Sequence, residues 1–139
     1  MSSANLDLVR LIFAAWERGD YSSVEWAHPE IDFVLADGLT PGSRTGLAGM
    51  AEGWRDVLST WEKGYRTEAD EYHELDGEQV LVTNVYIGRG KSSGLELGQM
   101  RAKGASLFHI RDGKVARLVL YWDRKHALDD LGLVPDTGS

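Results

Sequence analysis

Apolar positions recur at three-and-four spacing twice in the first half of this chain and alternate in the second half. In residues 6–18, Leu8, Leu11, Ile12, Ala15 and Trp16 share a stripe while Asp7, Arg10, Glu17 and Arg18 point elsewhere. That pattern predicts an amphipathic helix. Gly19 stands where a glycine cap would end it. Asp20 can then cap a short second helix over residues 21–27. His28-Pro29 would close it, because the residue before proline is pushed out of helical space. Residues 31–36 read as a strand, and 37–43 as a loop of turn formers. Thr45 can cap a third helix, with Leu47, Met50, Ala51, Trp54, Val57, Leu58 and Trp61 as its stripe and Gly64 as its end. Gly49 and Gly53 weaken that helix by roughly 1 kcal/mol each relative to alanine, unless close packing needs them.

After Gly64 the period changes to two. Residues 66–75 suit a polar edge strand. Asp76-Gly77 turns the chain into the β-rich run 80–87, a glycine-serine loop spans 88–94, and 95–110 form a long strand. Gly98 and Gly104 are expected to bend or bulge it. Arg111-Asp112-Gly113 is a strong hairpin signal, since the turn needs positive φ and glycine supplies it without strain. In the strand before it Ser106, Phe108 and Ile110 share one face; Ala105, Leu107 and His109 share the other. In the strand after it Ala116, Leu118, Leu120 and Trp122 are apolar together, while Val115, Arg117, Val119 and Tyr121 mix with charge. The Trp122 face should be the more buried, and it is expected to line a pocket. A closing helix follows Asp123.

Helices first and strands afterwards imply an α+β fold, a curved mixed or antiparallel sheet wrapped around the N-terminal helices. Such a sheet encloses a cone. No repeat or linker divides residues 1–139, so a single domain is expected.

Composition narrows the function classes. A net charge of −7 and a pI near 5.0 argue against nucleic acid and anionic membrane as partners. No run is long enough to span a bilayer, and no basic-then-apolar leader is expected. With no cysteine, disulfides, zinc thiolates and a thiol nucleophile are excluded, and the cytoplasm is the expected compartment. Five tryptophans are many for this length and can serve as core or as ligand walls.

The order of elements, the Glu17-Arg18-Gly19-Asp20 helix end, the His28-Pro29-Glu30 step, the Arg111-Asp112-Gly113-Lys114-Val115 turn and the Tyr121-Trp122-Asp123-Arg124 ending resemble the SnoaL-like branch of the nuclear transport factor 2-like superfamily. The resemblance covers nearly the whole chain. It implies the conical fold, whose members include isomerases, cyclases, dehydratases, epoxide hydrolases and non-catalytic binders. In ketosteroid isomerase, a general-base aspartate ends the early strand before a proline- and glycine-containing loop. Asp37, with its loop to Gly46, is similar, and Trp122 resembles that family's last-strand tryptophan. The oxyanion tyrosine falls near Ile12 and the protonated aspartate near Ser106. Since an oxyanion hole is usually the largest catalytic term, efficient steroid-type isomerisation is not expected.

Each candidate has a plainer reading. Asp37 is a general base in an apolar pocket or an ordinary turn residue. Asp123 reads as a helix cap rather than an acid. His109 falls outside the cone. His28, His73 and His126 are scattered, with no metal-ligand spacing, so no metal is expected. Gly90-Lys91-Ser92 mimics the end of a phosphate loop, but Val85 stands where that loop needs glycine. Trp61 reads as core; Trp16 and Trp54 are core or pocket wall. Asn84 and Tyr86 would orient an apolar ligand if their face is concave. With Asp37 as base, Ser106 and Tyr86 are candidate hydrogen-bond donors, and Trp16, Trp54, Phe108, Leu120 and Trp122 candidate walls. Cofactor-free acid–base chemistry on a small apolar molecule is the enzyme reading. A non-catalytic binding module of the same shape is the alternative. A homodimer is expected, with Val115, Arg117, Val119 and Tyr121 as a possible contact face.

Overall fold

The structure is a computed structural model that describes residues 4–38, 41–61, 65–89 and 100–133. In order, the elements are α1 (Ala4–Glu17), β1 (Ala27–Leu35), β2 (Gly42–Thr45), α2 (Gly46–Ser59), β3 (Arg66–Glu74), β4 (Gln79–Gly88), β5 (Met100–Arg111), β6 (Lys114–Tyr121) and α3 (Arg124–Asp130). The strands form one sheet in the order β2-β1-β6-β5-β4-β3. All neighbours are antiparallel except β1 and β6, which run parallel. The sheet is therefore mixed, and the α+β class read from the sequence holds.

The α2 stripe holds at Met50 and Trp54, but that of α1 is rotated from the expected one: Val9 and Phe13 join Ile12 and Trp16 in the core, while Leu11 is left exposed at 70%. Val9, Ile12, Phe13 and Trp16 of α1 and Met50 and Trp54 of α2 are buried against Val80, Val82, Phe108, Leu118 and Leu120 of the sheet. This is the concave face; Leu118, Leu120 and Trp122 point into it as expected, but Val115 takes the place expected for Ala116, because the register to β5 slips there. Gly19 has φ +81, and the amides of Gly19 and Asp20 return to the carbonyls of Trp16 and Ala15 at 2.9 Å. That closes α1 with a left-handed glycine. Asp112 (φ 53) and Gly113 (φ 77) make the tight β5–β6 turn.

Gly53 answers the question of its use. A Cβ there would lie 2.4 Å from the Phe33 ring, so α2 approaches β1 only because that atom is missing. Gly53→Ala is expected to lower the unfolding free energy by about 1–3 kcal/mol, measured by urea denaturation. A loss no larger than that of an exposed substitution would contradict the packing argument.

Several expectations are corrected. No second helix forms at 21–27. Asp20 instead accepts from the Ser22 amide at 3.0 Å and from its hydroxyl at 2.6 Å, a turn that competes with helix. β1 starts early, at Ala27, and carries Pro29 where its ladder to β6 is interrupted between Ala27 and Asp32. A proline without an amide donor is tolerated at such a break. Gly42 and Ser43, read as the end of a loop, join Arg44 and Thr45 in β2 because the four pair with Asp32–Leu35. Thr45 does not cap α2 through its side chain; its hydroxyl donates to Asp32 Oδ1 at 3.2 Å. Gly104 is not a bulge, since it pairs in register with Asn84. The irregularities lie at Asp70 in β3 and at Ala116 in β6, opposite the His109–Ile110 step of β5. Gly90-Lys91-Ser92 and Gly98 lie outside the described residues. The face of Val115, Arg117, Val119 and Tyr121 is not an open surface: Val115, Val119 and Tyr121 are buried within the chain. Val119 and Tyr121 pack with Ala127 of α3, which folds back over the convex side.

Candidate functional site

Register places the site. β1 and β6 run parallel with Leu35 beside Leu120, and the Ala36 amide donates to the Leu120 carbonyl at 3.0 Å. Two residues further on, Asp37 meets Trp122. One carboxylate oxygen of Asp37 accepts from the Trp122 amide. The other accepts from the Asp123 amide at 3.4 Å and faces His126 Nδ1 at 2.7 Å. Asp123 caps α3 by accepting from the Lys125 amide at 3.0 Å. That cap sets the first turn of α3 so that His126 reaches back to Asp37.

His126 sits among carboxylates. Its Nε2 lies 3.4 Å from Asp130 Oδ2, which also accepts from the Tyr121 hydroxyl at 3.1 Å. The imidazole packs edge-on against the Tyr121 ring, 5.2 Å between centroids. The hydrogen bond to Asp37 raises the His126 pKa above its ordinary value. Partial desolvation opposes the rise, and the charges of Asp130, Asp37 and Asp123 reinforce it. The imidazolium is thus the favoured partner of Asp37.

Inside the cone, alternation along β4 puts Asn84 and Tyr86 on the concave face with Val80 and Val82. Both are buried. Ser106 Oγ donates to Asn84 Oδ1 at 2.8 Å, which fixes the amide. Its nitrogen, Asn84 Nδ2, is buried and has no hydrogen-bond partner among the described residues. The Tyr86 hydroxyl donates to the Ala105 carbonyl at 3.3 Å. Burial pushes the Tyr86 pKa up to about 12; Asn84 and Ser106 pull it down, and the Asp37 charge adds to the rise. Tyr86 therefore stays a neutral donor. The influence of Asp37 on Tyr86 also ties the rim carboxylate to the interior.

Stacked aromatic rings run from the rim to the interior. Trp122, half-buried, stacks on Tyr86 at 5.1 Å and on Trp61 at 5.3 Å. Tyr65 stacks on Trp61 at 5.4 Å. Trp16 stacks on Phe108 at 5.8 Å and meets Trp54 at 5.2 Å in the helix layer. Leu120 is buried opposite Ser106. The fold thus brings Asp37, Trp122, Tyr86, Asn84 and Ser106 to one end of the cone, while Trp16, Trp54 and Phe108 line its helix-packed part. His109 points away from the cone and meets Glu78 at 3.1 Å.

Two residues escaped the sequence reading. His126 carried no motif, and its only local signal is the i, i+4 spacing to Asp130. Arg124 is the second. It donates through Nε to the Gly104 carbonyl at 3.1 Å and through Nη2 to the Asn84 carbonyl at 2.9 Å and to Asp70 at 2.7 Å. It thereby pins the start of α3 to the strands that carry Asn84 and Gly104.

No protein-family model and no curated protein matches the chain. Solved structures do match. A nuclear transport factor 2-like protein of unknown function from Burkholderia pseudomallei K96243 superposes with a TM-score of 0.74 at 20% identity, covering 92% of this chain and 97% of its own. The chain has the nuclear transport factor 2-like fold. TerC, co-crystallised with polyporic acid, matches this fold with a TM-score of 0.71 at 22% identity over 93% of this chain and 98% of its own. A protein from Jannaschia sp. CCS1, provisionally named a SnoaL-like polyketide cyclase, matches with a TM-score of 0.68 at 15% identity over 95% and 94%. Among the described residues of this nuclear transport factor 2-like chain, no helix is long and apolar enough to cross a membrane.

Proposed function

We propose that the cone takes up a flat, largely apolar small molecule beside Trp122 and Tyr86, and that the Asp37–His126 pair moves a proton on it. The reaction class is cofactor-free isomerisation, cyclisation or dehydration. One observation carries this reading: Asn84 Nδ2 is a buried donor without an acceptor among the described residues, on a mostly apolar concave face. A buried donor left unpaired costs about 1–3 kcal/mol. A ligand oxygen would remove that cost, and the neutral Tyr86 hydroxyl, whose proton goes to the Ala105 carbonyl, keeps its oxygen as an acceptor nearby. Ser106 holds the amide in the orientation that leaves its nitrogen free. Trp16, Trp54, Phe108, Leu120 and Trp122 serve as walls. Asp37 carries the proton, and His126, packed on Tyr121 on the convex side, holds the carboxylate and balances its charge.

A second reading has its own support. Both oxygens of Asp37 are already engaged by Trp122, Asp123 and His126, as suits a cone that binds and does not react.

The test uses 2-hydroxy-1,4-naphthoquinone, a flat oxygenated probe of the same general kind as the ligand crystallised with TerC. Saturable quenching of tryptophan fluorescence is expected. Asn84→Leu should weaken binding about tenfold, the loss of one hydrogen bond of about 1.4 kcal/mol. Equal affinity of both proteins would remove Asn84 from the site. If candidate substrates are turned over, Asp37→Asn should abolish turnover while affinity stays within about tenfold. Binding without product over long incubation favours the second reading.

A further inference from the structure

A second concavity lies away from the Asp37 rim, between α2 and the segment that follows α1. It is lined by Tyr21, Ser22, Val24, Met50, Ala51, Trp54, Arg55, Leu58 and Ser59 and has a volume of about 500 Å³. That is within the range of small-molecule sites, roughly 300–1,000 Å³. Its floor is the Trp54 ring with Met50, and Val24 forms a wall. Val24 and Leu11 are the two large apolar residues left exposed among the described residues, at 38% and 70%. The groove therefore contains one of the few places where apolar surface remains in water.

Its side-chain hydroxyls are already used, whereas the buried Trp54 Nε1 has no hydrogen-bond partner among the described residues. The Tyr21 hydroxyl pairs with Thr67 at 3.0 Å. The Ser22 hydroxyl donates to Asp20 at 2.6 Å, and the Ser59 hydroxyl to the Asp56 carbonyl at 2.8 Å. Arg55 is the only charged residue in the lining. Unlike Arg44, Arg66 and Arg124, it forms no salt bridge among the described residues. In a chain of net charge −7, an unpaired guanidinium beside an apolar floor is a specific combination. It matches a molecule with one anionic head and an apolar body. A guanidinium fork fits a carboxylate better than any other common anion except phosphate.

We propose that this groove binds a monocarboxylic acid with an unbranched or aryl-alkyl body. The carboxylate pairs with Arg55, and the body lies along Leu58, Trp54, Met50 and Val24. The groove shares the Trp54 ring with the cone wall, but the pairing of the acid with Arg55 does not depend on the function proposed for the cone.

Decanoate and decanol are the probes, measured by calorimetry on the full chain. Decanoate should bind one-to-one, with decanol about tenfold weaker. Arg55→Gln should lower decanoate affinity to the level of decanol. Ala51→Phe, which places a ring in the groove from an exposed position, should remove both. Binding of the naphthoquinone probe should be unchanged in both variants. Equal decanoate affinity in Arg55→Gln would overturn the proposal. So would competition between decanoate and the naphthoquinone, which would place the acid in the cone. Loss of a dimer in Ala51→Phe by sedimentation would also overturn it, because the groove's occupant would then be a second copy of the chain.

Discussion

Gly104→Ala is expected to cost about 3 kcal/mol or more, the upper range of overpacking. A Cβ at residue 104 would lie 2.3 Å from the Tyr121 carbonyl oxygen and 2.4 Å from the Tyr86 ring. A flexible side-chain tip could give way, but a strand carbonyl cannot move without its ladder. The ring cannot move freely either, because it is stacked on Trp122 with only 9° between their planes. The Gly104 carbonyl also accepts from Arg124, so a shift of this backbone pulls on the start of α3. Stability and site geometry should therefore fail together. Urea denaturation should show the lost free energy, and the near-ultraviolet circular dichroism of the tryptophans should change under native conditions. Gly77→Ala is the control: nothing lies within 4 Å of its added atom, and it should stay within about 0.5 kcal/mol of the parent. If Gly104→Ala behaves like Gly77→Ala, Tyr86 is not held where the structure places it.

The same residue shows what the sequence can and cannot carry. A glycine inside a strand pattern marks either a bulge or a close approach. Composition cannot choose between them, because the deciding atoms, Tyr86 and the Tyr121 carbonyl, belong to other strands. The helices α1 and α2, the Asp112-Gly113 turn and the order of β3 to β6 were legible, since periodicity and turn chemistry are local. β2 was not, because residues 42–45 become a strand only through their pairing with β1. The parallel pairing of β1 with β6 was not legible either, and the site depends on it. Asp37 could be chosen as a candidate from its place after the early strand. That it would meet the Trp122 backbone and His126 required the long-range register. The three histidines read as scattered are still scattered in sequence; only the fold brings His126 to a carboxylate.

Replacing Asp37 by alanine is the other substitution expected to have a large effect. Its side chain is only 22% exposed, and it collects hydrogen bonds from two backbone amides and an imidazole. Bonds to a charged acceptor contribute about 1.5–3 kcal/mol each when well buried and do not add fully. A total loss of about 3 kcal/mol is therefore expected for Asp37→Ala. The pH dependence identifies the mechanism. His126 has a raised pKa in the folded chain, so it binds its proton more tightly there than when unfolded. Its contribution is fully present below the ordinary histidine value of about 6.5 and is lost as the pH rises through the raised value. Melting temperature should thus fall on going from mildly acid to mildly alkaline solution. Burial also pushes the phenols of Tyr21, Tyr86 and Tyr121 up, the last two to about 12, but they lower stability only above about pH 10, outside that window. Asp37→Ala should shrink the step, because the largest cause of the raised value is gone. His126→Gln keeps a donor toward Asp37 but cannot titrate, so its step should disappear while most of the stability near neutral pH remains. A melting profile for His126→Gln with the same slope as the parent would show that the imidazole is not what senses pH. Asp37 would then be a tether for α3 and not half of a proton-handling pair.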